Sequence, residues 1–409
     1  MEAETLFWII VALVIFDFLF SKTLSLLNLK RMTPELPPEL KGIYDPEKYQ
    51  RSLEYSKTNI RFSFLSDTFS TVVFLIVLFA GGFGWLDEWV RSVTGNQYLQ
   101  SLLFFGVLGL AMDLISLPFQ WYDTFVIEEK FGFNKTTVRT FVADKLKGWL
   151  VGAVLGGGVL LFIQWAYVKA GDHFIWIVLG GLSVIMIFMA MFYTQLIVPL
   201  FNKLKPLEEG ELKSAIEDFA SKAGFKLDNI YVIDGSKRST KANAYFSGLG
   251  PKKRIILYDT LINDLTTEEI VAVLAHEIGH YRKKHILKGL AMSLLQTAVM
   301  ILLLKFALSS PELSYALGAS EPSFHMGLFA FALLYSPVSF VLGIITNLFS
   351  RKFEYQADAF AKKYYSGKKL IDALIKLSVK SLSNLRPHPL YVFFNYSHPT
   401  LLQRMDKLK

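Results

Sequence analysis

At 409 residues, with 52% hydrophobic and only 19% charged residues, the chain is too apolar for an ordinary soluble enzyme. It contains no cysteine, which excludes disulfides and thiolate metal sites, so any metal must be held by His, Asp or Glu. Its formal charge of +8 is spread through connections beside apolar stretches, a pattern that reports membrane topology rather than nucleic-acid binding.

The first twenty residues, MEAETLFWIIVALVIFDFLF, lack the basic start and small-residue cleavage site of a signal peptide, and read as a retained first span. In all, seven apolar stretches are predicted to cross a membrane, at roughly 5–27, 63–85, 98–119, 149–169, 174–200, 286–308 and 325–349. Asp17 and Lys22 interrupt the first, and Asp113 lies in the third. Such residues are tolerated where they face a wet interior. Pro34, Pro37, Pro38 and the pair Asp45-Pro46 mark the first connection as extended and rich in turns.

Charge alternates regularly between the connections. Lys30 to Arg61 is strongly basic, 86–97 carries only Arg91, and 120–148 is basic again. The turn before the fifth span has only Lys169, 202–285 and the C-terminal tail are basic, and 309–324 has no Lys or Arg. The positive-inside rule then places the N-terminus outside and the C-terminus in the cytoplasm. This divides the chain into a five-span membrane domain (1–201), a polar segment (202–285), the sixth and seventh spans (286–349) and a C-terminal segment (350–409). In the first polar segment, GELKSAIEDFASKAG is predicted helical, with Leu212, Ile216 and Phe219 on one face. Strands are expected at 229–234 and 254–259, and between them KANAYFSGLG reads as a strand with a glycine-rich end.

The chemistry is carried by TTEEIVAVLAHEIGHYRKKH. Thr266 and Glu269 have the spacing of a capping box, and Ile270, Val273 and Leu274 supply an apolar face. His276 and His280 are four apart, so on a helix both imidazoles project from one side and can hold one zinc ion. Glu277 lies beside that face as the general base, and Gly279 keeps bulk away where another segment could approach. Two exposed histidines four apart would be the bland reading, and this short motif also arises by chance. A zinc site needs a third protein ligand, and FEYQAD offers Glu354 and Asp358, again four apart. Either can complete the metal shell while the other accepts the N–H of a ligand imidazole. The sixth span starts a few residues beyond His280, which puts the zinc roughly 10 Å from the membrane boundary at ~1.5 Å per residue. The expected reaction is hydrolysis by metal-activated water, with Glu277 moving its proton to the leaving amine. His398 and Arg404 in the tail are candidate donors to the oxyanion. No spacing rule ties His398 to the metal, and alone it reads as a surface histidine. The stretch Asn243, Ala244, Tyr245 and Phe246 could hold an extended peptide by backbone pairing, or be a plain sheet edge.

Five segments together resemble the type I CaaX prenyl endopeptidases, integral-membrane gluzincin metalloproteases. They are LPFQWYDTFVIEEKFGFNKTT (117–137), NAYFSGLG (243–250), VLAHEIGHYRKKH (273–285), SRKFEYQADAFA (350–361) and YSHPTLLQR (396–404). The resemblance implies a mainly α fold, with seven helices in a barrel around a water-filled chamber and a small α+β zincin-like portion on the cytoplasmic side. It implies one Zn2+ per chain on His276, His280 and Glu354, with Asp358 supporting a ligand and Glu277 as base. His398 and Arg404 would serve substrate or oxyanion, and Asn243, Ala244 and Tyr245 the peptide edge. The substrate would be a prenylated peptide, cut next to its modified cysteine, with the lipid bilayer as surroundings and no obligate protein partner. The chain is shorter than eukaryotic members and lacks an endoplasmic-reticulum retrieval signal and any cysteine. Those departures favour a bacterial inner-membrane homologue. A quality-control metalloprotease for non-prenylated substrates is the alternative, and a seven-span receptor or transporter the reading from another class.

Overall fold

The computed structural model describes residues 1–224, 230–248 and 254–409. In chain order the first half holds α1 (Ala3–Lys30), α2 (Pro46–Phe79), α3 (Gly82–Val93), α4 (Gln97–Tyr122), α5 (Val138–Lys169), α6 (Phe174–Leu196) and the one-turn α7 (Val198–Phe201). The first polar segment follows as β1 (Leu204–Pro206), α8 (Glu211–Lys222), β2 (Ile230–Ile233), β3 (Ala244–Ser247), β4 (Arg254–Tyr258), α9 (Asp259–Asp264) and α10 (Thr267–Arg282). The remainder is α11 (His285–Leu308), α12 (Glu312–Ala316), α13 (Phe324–Leu334), α14 (Ser336–Tyr364), α15 (Gly367–Lys380), α16 (Pro389–Asn395) and α17 (Leu401–Leu408).

Among the described residues, six helices are long and apolar enough to cross a bilayer, and α13 with α14 makes a seventh crossing bent by 51°. The span predicted at 325–349 falls on this pair of helices, with the bend at their junction. Pro337 in the first turn of α14 has no N–H to continue the ladder from α13. The span predicted at 63–85 needs correction. α2 ends at Phe79, and Gly81, at φ 69°, turns the chain into the separate α3. A Cβ on Gly84 would meet the Gly318 carbonyl oxygen at 2.1 Å, so α3 packs directly on the turn after α12. The predicted α8 helix is present, with Ile216 and Phe219 buried as expected.

The membrane helices touch in the order α1, α2, α4, α5, α6, α11, α13 and back to α1, a closed ring. In each of the six straight helices no more than 17% of the apolar window is buried. α4 also touches α13, with the Phe104 and Phe329 ring centroids 6.0 Å apart, so at the α3 and α12 end the ring is drawn together. Asp113 points to a polar spot in its wall, taking Lys145 at 2.8 Å, Trp149 at 2.9 Å and Gln120 at 3.1 Å. The lysine lies within α5, which begins at Val138, well before the span edge at 149 predicted from hydropathy.

The basic connections all gather at one end of this ring. Lys241 Nζ reaches Glu128 at 2.7 Å and Tyr55 at 3.0 Å, and Arg238 grips Asp144 through two bonds of 2.7 and 2.9 Å. Asn28 Oδ1 accepts from the His388 backbone N–H at 3.0 Å. At the opposite end, Leu6 and Ile10 at the start of α1 pack with Phe83 and Leu86 of α3 and Leu313 and Ala316 of α12. The charge alternation along the sequence thus corresponds to two physically separate ends.

The sheet at the basic end runs in the order β1-β2-β4-β3, with β2 and β4 parallel and both outer pairs antiparallel. β1 was not expected, since three residues containing Pro206 show no strand pattern. β4 is central and buried on both faces. Ile255 and Leu257 enter the cluster under α10, while Ile256 meets Ile233 and Val198 on the other side. Burying a side chain of this size is worth about 1.5–3 kcal/mol, which fixes the register that holds β3 beside α10. Asn229, where the first predicted strand begins, and Leu249 and Gly250 of the expected glycine-rich end lie outside the described residues.

Candidate metal centre and active site

The helix carrying the motif is specified at its first turn. Thr266 and Glu269 form the capping box the spacing predicted, and Glu269 also binds Lys376 of α15 at 2.7 Å. Hydrogen bonds from Lys376 and Thr266 overcome the burial of Glu269 and keep its carboxyl below the usual range. Beyond this cap, Ile270, Val271, Ala272, Leu274 and Ala275 are all buried, so α10 runs through the core of the catalytic portion. Its partner is α14. A Cβ on Gly279 would stand 3.0 Å from the Ala357 Cα and 3.1 Å from the Ala357 carbonyl oxygen. Gly279 is where the two backbones meet, as its small size suggested.

That contact brings the two halves of the site together. His280 Nε2 lies 3.1 Å from His276 Nε2 and 3.1 Å from Glu354 Oε1, and His276 Nε2 lies 3.4 Å from Glu354 Oε2. Tetrahedral ligands bound at ~2.0–2.1 Å stand about 3.3–3.4 Å apart. Two imidazole nitrogens and a carboxylate, convergent at this spacing on protein elements buried in the core, fit a zinc ion by geometry and by donor chemistry. Asp358, one turn after Glu354, accepts from His276 Nδ1 at 2.8 Å. Of the two carboxylates, Glu354 faces both Nε2 atoms, whereas Asp358 faces the far side of the His276 ring. Burial opposes the His276 imidazolium, yet Asp358 and Glu354 together hold its pKa up at about 9.

Glu277 lines a cavity of about 600 Å³ with His276, His280, Glu354, His398 and Arg404. Loss of solvent pushes the Glu277 carboxyl up, opposed by a hydrogen bond from the Phe246 backbone of β3. A carboxyl raised toward neutrality is a better acceptor for a proton from water than an ordinary glutamate. Asn243, Ala244 and Tyr245 lie on the same cavity, with Leu261, Val273, Ile286, Phe353 and Leu374 supplying apolar wall. Tyr245 turns its ring to the opposite sheet face from Ala244 and Phe246, toward Tyr258, and burial pushes its hydroxyl up to about 12.

The two tail residues sit differently from one another. His398 Nε2 is 3.4 Å from Glu354 Oε1, on a side chain that is 63% exposed. It stands at the cavity mouth and can turn toward a bound group. Arg404 is largely buried, and its Nε and Nη2 both bind Asp358, at 2.9 and 2.6 Å. Only Nη1, 3.6 Å from Glu354 Oε2, is left on the metal side. Its main engagement is to fix Asp358. Sequence reasoning overlooked His285, whose ring lies against His280, and Gln356 beyond it. The only signal was a further histidine five residues past the motif, too far along to share its helical face.

Comparison with known proteins places this geometry in a family. Residues 25–203 match the family described as CAAX prenyl protease N-terminal, five membrane helices, and residues 206–409 match peptidase family M48. CAAX prenyl protease 1 of Saccharomyces cerevisiae is 37% identical over 91% of this chain and 88% of its own length. The Arabidopsis thaliana homolog is 35% identical over 97% and 96%, and the Homo sapiens homolog 34% identical over 93% and 90%. The crystal structure of S. mikatae Ste24p matches with a TM-score of 0.93 at 37% identity, covering 100% of both chains. These relatives are eukaryotic, and one is matched over 96% of its length, so chain length gives no ground for a separate bacterial branch. A receptor or transporter is also set aside. The chain belongs to peptidase family M48, within its CAAX prenyl proteases, and is a membrane metalloendopeptidase.

Proposed function

We propose that the chain is a zinc-dependent endopeptidase that cuts near the C-terminus of prenylated CaaX-type substrates. The observation carrying this reading is the convergence of His276, His280 and Glu354 beside Glu277 on the wall of one cavity. One zinc ion would be held by those three residues, and when bound it supplies Lewis acidity toward water and the scissile carbonyl. Glu277 takes the proton of the attacking water and passes it to the leaving amine. His398, free to move at the cavity mouth, donates to the developing oxyanion. Arg404 holds Asp358, and Asp358 holds the His276 ring, so that its Nε2 stays aimed at the metal. The edge at Asn243, Ala244 and Tyr245 aligns the peptide by backbone pairing.

The segments 202–285 and 350–409 act as one catalytic unit, joined across Gly279, on the side that the positive-inside rule makes cytoplasmic. Behind it, a chamber within the ring of helices would receive the isoprenyl group, as the resemblance to the CAAX prenyl proteases implies. Processing of non-prenylated membrane proteins is less well supported, because the similarity to CAAX prenyl proteases runs through the membrane half as well as the catalytic half.

The test is hydrolysis by the purified full chain of matched farnesylated and unmodified peptides, with and without a chelator, alongside the zinc content per chain. The expected result is one zinc per chain and chelator-sensitive cleavage that prefers the farnesylated peptide. Equal cleavage of both peptides removes the prenyl specificity, and chelator-resistant cleavage removes the metal mechanism.

A further inference from the structure

Each ligand imidazole of a metal site uses one ring nitrogen for the metal, and the other is left to fix the ring's tautomer and tilt. For His276 that role falls to Asp358. At the second nitrogen of His280, the described residues place another histidine rather than a carboxylate. Lys284, at φ 57°, reverses the chain between α10 and α11, so that the first residue of α11, His285, folds back over the motif. His285 Nδ1 lies 3.0 Å from His280 Nδ1, and His285 Nε2 lies 2.8 Å from Gln356 Oε1. The His285 ring is 5% exposed and stacks on Phe353, with centroids 4.2 Å apart and planes 11° from parallel.

A single proton can sit between the two Nδ1 atoms, and the rest of the chain of bonds decides which ring owns it. His280 Nε2 faces His276 and Glu354 and must present a lone pair to bind a metal, so in the neutral ring the proton is on His280 Nδ1. His285 must then accept at Nδ1 and carry its own proton on Nε2. That N–H needs an acceptor, which the Gln356 oxygen supplies. The opposite amide orientation would place an N–H against His285 Nε2, move the His285 proton to Nδ1 and force His280 to bear hydrogen on the metal side. With His280 Nε2 kept bare for a metal, only one arrangement of the three groups satisfies every bond.

We propose that His285 is a positioning residue that locks His280 in its metal-binding tautomer, and that Gln356 locks His285 in turn. The pair does for His280, without charge, what Asp358 and Arg404 do for His276. α14 thus supplies a ligand in Glu354 and supports for both histidines, in Asp358 and Gln356. This inference rests on the zinc reading above and adds to it the control of the second ligand.

The test measures zinc affinity of the purified full chain by chelator competition, together with the thermal midpoint of the metal-free protein. His285→Phe keeps the ring stacked on Phe353 but removes the acceptor, whereas His285→Asn loses the stacking but places an oxygen near the position of Nδ1. We expect the Phe variant to bind zinc about 10- to 100-fold more weakly and the Asn variant to stay near wild type. A purely structural role gives the reverse order. Gln356→Leu, which leaves all three imidazoles in place, should also weaken binding, and it carries the test if the Phe variant does not fold. Wild-type affinity in both His285→Phe and Gln356→Leu overturns the relay alone, while a wild-type chain that binds no zinc overturns the metal reading and the relay with it.

Discussion

Glu277 and Glu354 are both glutamates on the same cavity, yet their placement gives them different work. Glu354 faces two imidazole nitrogens, while Glu277 sits one residue past His276, where burial raises its pKa against the opposing pull of His276 and His280. Glu277→Gln should accordingly retain zinc and lose activity by at least the ~10²–10⁴-fold typical of a general base. Metal content and turnover of the same preparation check this, and wild-type turnover would sink the assignment. Glu354→Ala removes one of three protein ligands, so zinc should be lost on dialysis against a chelator that the wild type withstands. Retained stoichiometric zinc would take Glu354 out of the shell. At this scale the sequence was informative wherever a spacing rule applied. The i, i+4 spacing pairs His276 with His280 and Glu354 with Asp358 on two helices, while the separate roles of the two carboxylates came from the family resemblance. His285 and the grip of Arg404 on Asp358 were not legible, because a tight left-handed reversal at Lys284 and a contact 46 residues apart have no local pattern.

The elements show the same division. Hydropathy locates the spans, since their apolar runs must match the bilayer, but it blurs the breaks at Gly81 and Tyr335, where the chain bends without becoming polar. It also missed β1, a strand made by pairing rather than by propensity. The contact of α10 with α14 carries the element-level prediction. Gly279→Ala drives a methyl into the Ala357 backbone, which cannot yield as a flexible side chain could. We expect a loss of about 1–3 kcal/mol in stability with reduced zinc content, read by thermal unfolding and metal analysis. A neutral outcome in both would mean the helices can separate freely. The cap of α10 gives a pH prediction. The Glu269 pKa is lowered by folding, so its contribution is fully present above the unfolded value near 4.5 and fades as pH falls below it. Glu269→Ala should cost about 1–2 kcal/mol at neutral pH, and the gap to wild type should shrink as unfolding is measured at progressively lower pH. A gap that widens on acidification would contradict the sign.

On the scale of the molecule, the regular swing of Lys and Arg between connections was enough to sort them into two groups, and the structure puts each group at its own end. The closure of the ring was expected only through the family resemblance, because periodicity on a helix says nothing about which helix is its neighbour. Not legible at all was the docking of Arg238 and Lys241 onto Asp144, Glu128 and Tyr55, which ties the catalytic portion to the rim. One further property follows from α14. It is a single helix from Ser336 to Tyr364, so the second limb of the bent α13–α14 pair and the proposed ligand Glu354 ride on one rod. From the bend at Tyr335 to Glu354 is a lever arm of about 29 Å at 1.5 Å per residue, and a tilt of about 2° swings its end by about 1 Å. Helices change tilt to suit the thickness of the bilayer around them. Zinc affinity measured in nanodiscs of short-chain and long-chain lipids should therefore differ, and identical affinities would show that the rod is braced at its far end. The surrounding lipid, through nothing more than its thickness, then becomes a mechanical input to the chemistry.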